Sequence, residues 1–346
     1  MGLELVLTGT GGAQEMTLNY KRRLSDALLK YNDDKGEVQE IVKLDYNGQS
    51  AMGLVEEQIA PSAYKTIILS HGHSDHSLGL SMRLKAMLGE CESNLDLKDS
   101  TEKRTLYTTK ETREMLAEVL EFSEHGRNDG GYNYRTGNHG EYIYKNSKNG
   151  IETLKIVATE DGMKTDISDN LQITFFEVTH PHGSSFSKIR GDSANGYLIT
   201  DKNKKEKTGN TLLYLSDYKD INDKDKQRIG DHLKGNHIDA VVLGQPVPFS
   251  DEENKKGHMG LEESIEFCEY LKDKNLADDS LTVVITHMSD RWTAHEEEYI
   301  KKTKEIMKKH NFNLYLPKED GLRINVEDKR VKIKGECYSI NKHKLI

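Results

Sequence analysis

The six residues His71-Gly72-His73-Ser74-Asp75-His76 place three imidazoles and a carboxylate directly after the apolar run Thr66-Ile67-Ile68-Leu69-Ser70. Histidine and carboxylate are ready ligands for borderline metal ions. A strand that ends in such a loop aims all four groups into one small volume, as metal chemistry needs. Three further apolar runs end in the same way. Leu171–Val178 leads into Thr179-His180, Thr211–Ser216 leads into Asp217, and Leu281–Thr286 leads into His287. Helical text at about 77–88, 261–273 and 293–310 alternates with these strands. Alternating strands and helices imply a layered α/β architecture with its sites gathered at one end of the sheets.

His71, His73, Asp75, His76, His180, Asp217 and His287 together make seven ligands. That is too many for one tetrahedral zinc and suits two metals. Two-metal sites hold their ions roughly 3.5–4 Å apart, bridged by a carboxylate and a water that is acidified into a nucleophile. Asp217 stands alone at its strand end and is the natural bridging carboxylate. Imidazole and carboxylate suit zinc, manganese and iron alike, with zinc the first expectation and manganese the second.

The order H-x-H-x-D-H at His71 to His76, then His180, Asp217 and His287, resembles the metallo-β-lactamase superfamily of hydrolases. The resemblance implies an α/β fold, a four-layer αβ/βα sandwich with the site at the sheet edge. It also implies that His71, His73 and His180 hold one metal, that Asp75, His76 and His287 hold the other, and that Asp217 is shared. Thr286-His287-Met288-Ser289-Asp290-Arg291-Trp292 and Gly257-His258-Met259-Gly260 resemble motifs of ribonuclease Z-like phosphodiesterases. Leu7–Gly12 and Glu319–Ile324 resemble the first and last family strands, so the likeness spans nearly all of residues 1–326. By that resemblance Asp75 and His258 are the expected catalytic residues. His258 lies outside the metal ligands and would serve the departing oxygen of a phosphodiester. His182 and Arg291 are the expected substrate contacts, with Arg291 suited to phosphate.

Charge and composition narrow the substrate. The 346-residue chain carries a formal net charge of -9, whereas proteins that grip long nucleic acid usually show a clear basic face. The insertion at about 126–150 is rich in Gly, Asn and Tyr, and is short and not strongly basic. The text Leu243–Phe249 also differs from what a ribonuclease Z would carry there. These features favour a small nucleotide, with a 3′,5′-cyclic nucleotide (an immune signal among them) as first choice and hydroxide between the metals as nucleophile. The alternative is a ribonuclease Z-like endoribonuclease acting on transfer RNA 3′ ends. Further alternatives are a lactonase or thioesterase, and a non-catalytic nucleotide-binding relative.

The tyrosines of the insertion, among them Tyr132, Tyr134, Tyr142 and Tyr144, could stack on a base or simply pack a hairpin. Thr108 and Glu111 have capping-box spacing, which predicts a helix from there to about Glu124. Residues 1–328 read as one domain, and 329–346 as an extension in which Val331–Gly335 alternates like an added edge strand. No run of about 18 apolar residues occurs, so no membrane span is expected. Cys91, Cys268 and Cys337 form neither a zinc pair nor a disulfide framework, and a reducing cytoplasm is the expected location. The superfamily resemblance further suggests a homodimer.

Overall fold

In the computed structural model, the described residues are 2–12, 22–60, 63–87, 103–122, 134–137, 140–145, 152–183, 190–202, 210–233, 235–244, 259–288, 294–327 and 330–340. Two sheets stack face to face. The first contains β1 (Gly2–Gly9), β2 (Asp26–Asn32), β3 (Val38–Leu44), β4 (Thr66–Ile68), β5 (Arg104–Thr108), β6 (Tyr134–Thr136), β7 (Tyr142–Lys145), β8 (Glu152–Ala158), β16 (Leu322–Glu327) and β17 (Arg330–Lys334). Its spatial order is β17-β16-β1-β2-β3-β4-β5-β8-β7-β6. The second contains β9 (Lys164–Asp166), β10 (Leu171–Gly183), β11 (Arg190–Asp201), β12 (Thr211–Leu215), β13 (Ile238–Gly244), β14 (Ala277–Thr286), β15 (Asn313–Pro317) and β18 (Cys337–Ile340). Its order is β18-β15-β14-β13-β12-β11-β10-β9. The helices are α1 (Ser50–Glu56), α2 (Ser74–Met87), α3 (Lys110–Phe122), α4 (Asp223–Leu233), α5 (Leu261–Asp273) and α6 (Glu296–Met307).

Alternation along the strands builds three apolar layers. Leu3, Leu5 and Leu7 of β1 face Phe175, Tyr197 and Tyr214 of the second sheet, which forms the core between the sheets. Val6, Leu28, Ile67, Leu106 and Ile156 point the other way and are covered by Leu54 of α1, Leu80 of α2 and Leu116 of α3. Val241, Leu243, Val283 and Ile285 form the corresponding face of the second sheet, covered by Ile229, Phe267 and Met307 of α4, α5 and α6. The result is helix, sheet, sheet, helix: the four-layer sandwich expected from the sequence. Parallel strands β3, β4, β5 and β8 in one sheet, and β12 to β15 in the other, are linked through helices. Their carboxyl ends are where such sheets place sites.

Several boundaries differ from the sequence reading. Helix α2 begins at Ser74 rather than 77, so Asp75 and His76 lie in its first turn. The Ser77 amide donates to His73 O at 2.9 Å and closes that turn. The cap of α3 is Thr109, whose Oγ1 accepts from the Thr112 amide at 3.2 Å; Thr108 is still in β5, so its spacing to Glu111 is not the cap. His180 is not beyond its strand but inside β10, at a register break between Thr179 and His182. In the insertion, β6 and β7 form an antiparallel hairpin. Tyr144 is a buried core residue there and the Tyr142 hydroxyl donates to Glu114 at 2.6 Å, so these two tyrosines serve packing. Tyr132 lies outside the described residues. Strand β17 pairs with β16 at an edge of the first sheet, while β18 pairs with β15 in the second. Among the described residues no helix is long and apolar enough to cross a membrane.

Candidate metal centre

Three strand ends, a register break within β10 and one helix start bring the seven candidate ligands together. The loop after β4 delivers His71 and His73, α2 delivers Asp75 and His76, β10 delivers His180, and the turns after β12 and β14 deliver Asp217 and His287. Gly244 at the end of β13 permits this convergence: a Cβ there would lie 1.5 Å from Ser216 O, directly before Asp217. His287 adopts a left-handed backbone, φ 56°. The amide of Met288 donates to Thr10 O at 2.8 Å and Met288 O accepts from the Gly12 amide at 2.9 Å. The glycine-rich turn after β1 therefore braces His287, and a Cβ on Gly12 would come within 3.0 Å of its Nδ1.

The ligands fall into two nests. Ligand atoms of His71, His73, His180 and Asp217 lie within 4.8 Å of one another, as do those of Asp75, His76 and His287. In the first nest His73 Nδ1 sits 2.9 Å from His71 Nε2 and 3.2 Å from His180 Nε2. In the second, His76 Nε2 is 3.0 Å from His287 Nε2, and Asp75 Oδ2 is 3.2 Å from His287 Nε2. Asp217 Oδ2 stands between them, at 3.3 Å from His180, 3.7 Å from His287, 3.8 Å from His71 and 3.9 Å from His76. Six of the seven residues are buried and His73 is half-buried.

Residues 48–288, which contain both nests, match the family described as Beta-lactamase superfamily domain. The chain belongs to the metallo-β-lactamase superfamily. Solved structures of the same fold include yeast PDE1 (TM-score 0.58, 13% identity, 92% of this chain and 98% of that one). They also include a diphosphatase from the PhnP family (TM-score 0.55, 16% identity, 94% and 97% covered) and human tRNase Z, short form (TM-score 0.53, 14% identity, 93% and 98% covered). No curated protein matches by sequence. The superfamily consists largely of metal-dependent hydrolases, and the two nests of this member have the composition for divalent cations.

The electrostatics fit that group. Burial, then the neighbouring imidazoles, pushes His71 well below its ordinary value. Burial and His180 push His73 down to about 4. Both rings are therefore neutral near pH 7, with lone pairs available to a cation. Burial alone would raise Asp75, but His76 and His287 hold it well below the usual carboxylate range. Burial would lower His76, but Asp45 and Asp75 hold it up at about 9 when no cation competes. Five imidazoles and two carboxylates withdrawn from water are costly to assemble unless a compensating charge joins them.

Asp45 is the functional residue that strand-end reading missed. Its Oδ2 accepts from His76 Nδ1 at 2.8 Å, and its Oδ1 accepts from the Ser70 amide and hydroxyl, both at 2.8 Å. Such a carboxylate fixes the ring orientation and tautomer of a ligating histidine. The signal was available: Ile41-Val42-Lys43-Leu44-Asp45 is another apolar strand ending in a carboxylate. Asp45→Ala is expected to weaken metal retention roughly 10–100-fold. It also takes the carboxylate acceptor from the buried Ser70 amide and leaves His76 Nδ1 facing the Ser70 hydroxyl at 3.4 Å, at about 3 kcal/mol of stability. Chelator competition and denaturant unfolding measure the two effects, and wild-type values in both would refute the role.

A pH prediction follows for the metal-free chain. His71 and His73 are lowered on folding, so acidification protonates the unfolded chain first. Stability then falls below pH 6.5, their ordinary value, by up to about 1.4 kcal/mol per pH unit per group. His76 has the opposite sign: its contribution is full below 6.5 and is lost as the pH rises through about 9. Denaturant midpoints of chelator-treated protein are expected to peak near neutrality and fall on both sides. A flat profile between these limits would contradict the assignment.

The remaining sequence-derived residues are placed less fully. His182 lies in β10 paired with Gly191, and only its backbone is described. His258 and Arg291 lie outside the described residues. The backbone beside His258 is fixed nonetheless: the Met259 amide donates to Tyr218 O at 3.2 Å, one residue beyond Asp217.

Proposed function

We propose that this chain is a phosphodiesterase that hydrolyses a small nucleotide, 3′,5′-cyclic nucleotides first among them, with two divalent ions, zinc before manganese. The observation that carries this reading is the pair of nests joined at Asp217, with Met259 bonded to Tyr218, the residue after Asp217. His71, His73 and His180 would hold one ion, Asp75, His76 and His287 the other, with Asp217 shared. When bound, the ions supply an acidified water and neutralise charge developing on phosphorus.

The chain's own groups do the rest. His73 is half-buried and the other six residues are buried, which withdraws the site from bulk water. Asp75, held ionised by His76 and His287, would orient the attacking water as a hydrogen-bond acceptor. His258 gives a proton to the departing 3′ oxygen, and His182 and Arg291 contact the phosphate. The net charge of -9 and the short hairpin insertion favour a small substrate over transfer RNA. The folds of the PhnP-family diphosphatase and human tRNase Z, whose names describe phosphate-bond chemistry, are compatible with either size.

The test is a substrate panel assayed with zinc and with manganese: cyclic mononucleotides, cyclic dinucleotides, an aryl phosphodiester, precursor transfer RNA, a lactone and a thioester. Highest kcat/KM on a cyclic nucleotide is expected. Cleavage of precursor transfer RNA with none of cyclic nucleotides would replace this reading with the endoribonuclease one. Turnover of only the lactone or thioester would overturn the phosphodiester chemistry.

A further inference from the structure

Lys43 is fully buried, and its hydrogen bonds go to backbone carbonyls and not to a candidate metal ligand. Its strand neighbours Val42 and Leu44 lie in the core between the sheets. Lys43 points the other way, in register with Leu28 and Ile67, into the apolar layer beneath the helices. There it forms an ion pair with Asp26, itself buried. A buried ion pair is weak support for stability, since apolar residues of similar volume often do as well. Its presence calls for another explanation.

The contacts of the Lys43 ammonium supply one. Nζ donates to Asp45 O at 2.8 Å, to Leu44 O at 3.2 Å and to Ala27 O at 3.4 Å. Asp45 is one of the few non-glycine residues with a left-handed backbone among the described residues, φ 57°. Such a conformation persists where surrounding groups hold it. Its amide donates to Ile68 O at 2.7 Å, and its carboxylate takes Ser70 and His76 Nδ1. The peptide between Asp45 and Tyr46 is gripped at both ends. Its oxygen accepts from Lys43, and its N–H donates to the backbone oxygen of His76 at 2.7 Å. His76 is thus tied to this one peptide twice, through its ring by way of the Asp45 carboxylate and through its own carbonyl.

We propose that the Lys43–Asp26 pair is a positioning device for the second nest: it locks the Asp45–Tyr46 peptide and so sets the His76 imidazole for the ion held with Asp75 and His287. Because Asp26 compensates the ammonium charge, the pair acts by geometry and not by adding net charge near the ions. The proposal rests on the two-ion reading above, and the first nest meets Asp45 only through the Ser70 hydroxyl, 2.8 Å from Asp45 Oδ1 and 3.0 Å from His71 Nδ1, so its ion is affected less.

The test uses the full zinc-loaded chain and the double variant Asp26→Asn/Lys43→Met, which removes both charges and strands neither. Ions released are counted by elemental mass spectrometry along a chelator titration, beside thermal unfolding of the metal-free chain. The expected result is a cooperatively folded variant that loses one ion per chain at about tenfold lower chelator than wild type, with the other ion shifted much less. A general loss of structure would not select one ion. If the double variant does not fold, Asp26→Asn alone, which keeps the ammonium and its carbonyl contacts, is expected to shift the same ion in the same direction by less. Release of both ions at wild-type chelator concentrations, or equal weakening of both, overturns the proposal. A wild-type chain that binds fewer than two ions overturns the two-ion reading beneath it.

Discussion

Replacing Asp217 with alanine is expected to lower kcat on the best phosphodiester by at least about 10³-fold and to reduce bound zinc from two ions per chain to one or none. The size of the effect follows from its place. Asp217 Oδ2 lies 3.3–3.9 Å from nitrogens of four histidines drawn from both nests. Asp75 Oδ2 lies against the second nest, 3.6 Å from His76 Nε2 and 3.2 Å from His287 Nε2. Removing Asp217 takes away the one negative charge both ions would share. It also removes an attraction that holds His71, His73 and His76 toward their charged forms. Asp217→Asn keeps the side-chain volume and loses the charge. It should therefore fail in the same way, which separates a charge effect from a packing effect. A variant that retains two ions and more than about a tenth of wild-type turnover would show that another group bridges the site.

Replacing His258 with alanine is expected to lower kcat by about 10²–10⁴-fold on a cyclic nucleotide and far less on an aryl phosphodiester. The contrast comes from the leaving group. A 3′ alkoxide is a poor leaving group and needs a proton as it departs, whereas an aryl oxide leaves as a stabilised anion. The basic limb of the pH profile should also change in the variant, since loss of the donor's proton no longer limits the rate. Metal content and thermal unfolding should stay at wild-type values, because all seven ligands remain. An equal loss on both substrates would assign His258 to binding or structure instead of proton donation.

Much of the site was legible because metal chemistry leaves a local signature. H-x-H-x-D-H is compact, and His180, Asp217 and His287 each follow an apolar run that could only be a strand. Alternating or apolar runs at β1, β10, β12 and β14 gave a layered α/β architecture, and the four-layer sandwich came from the family resemblance. What escaped reading depended on contacts distant in sequence. Asp45 looked like an ordinary strand end, and its role appears only when β3 and β4 pair in parallel and carry it beside Ser70 and His76. Lys43 gave no sign of burial, since a lysine in alternating text reads as solvent-facing, and its partner Asp26 lies on another strand. His180 was placed after its strand because periodicity cannot foresee a register break that keeps β10 running to Gly183. Tyr142 and Tyr144 left base stacking and hairpin packing both open, and the pairing of β7 with β8 decides for packing.

The most direct test of the account is a crystal structure of the zinc-loaded chain with anomalous scattering at the metal edge. Two ions are expected, one coordinated by His71, His73 and His180, the other by Asp75, His76 and His287, with Asp217 bound to both. A single ion in the site at saturating zinc, or two ions of which neither is bound by Asp217, would contradict it.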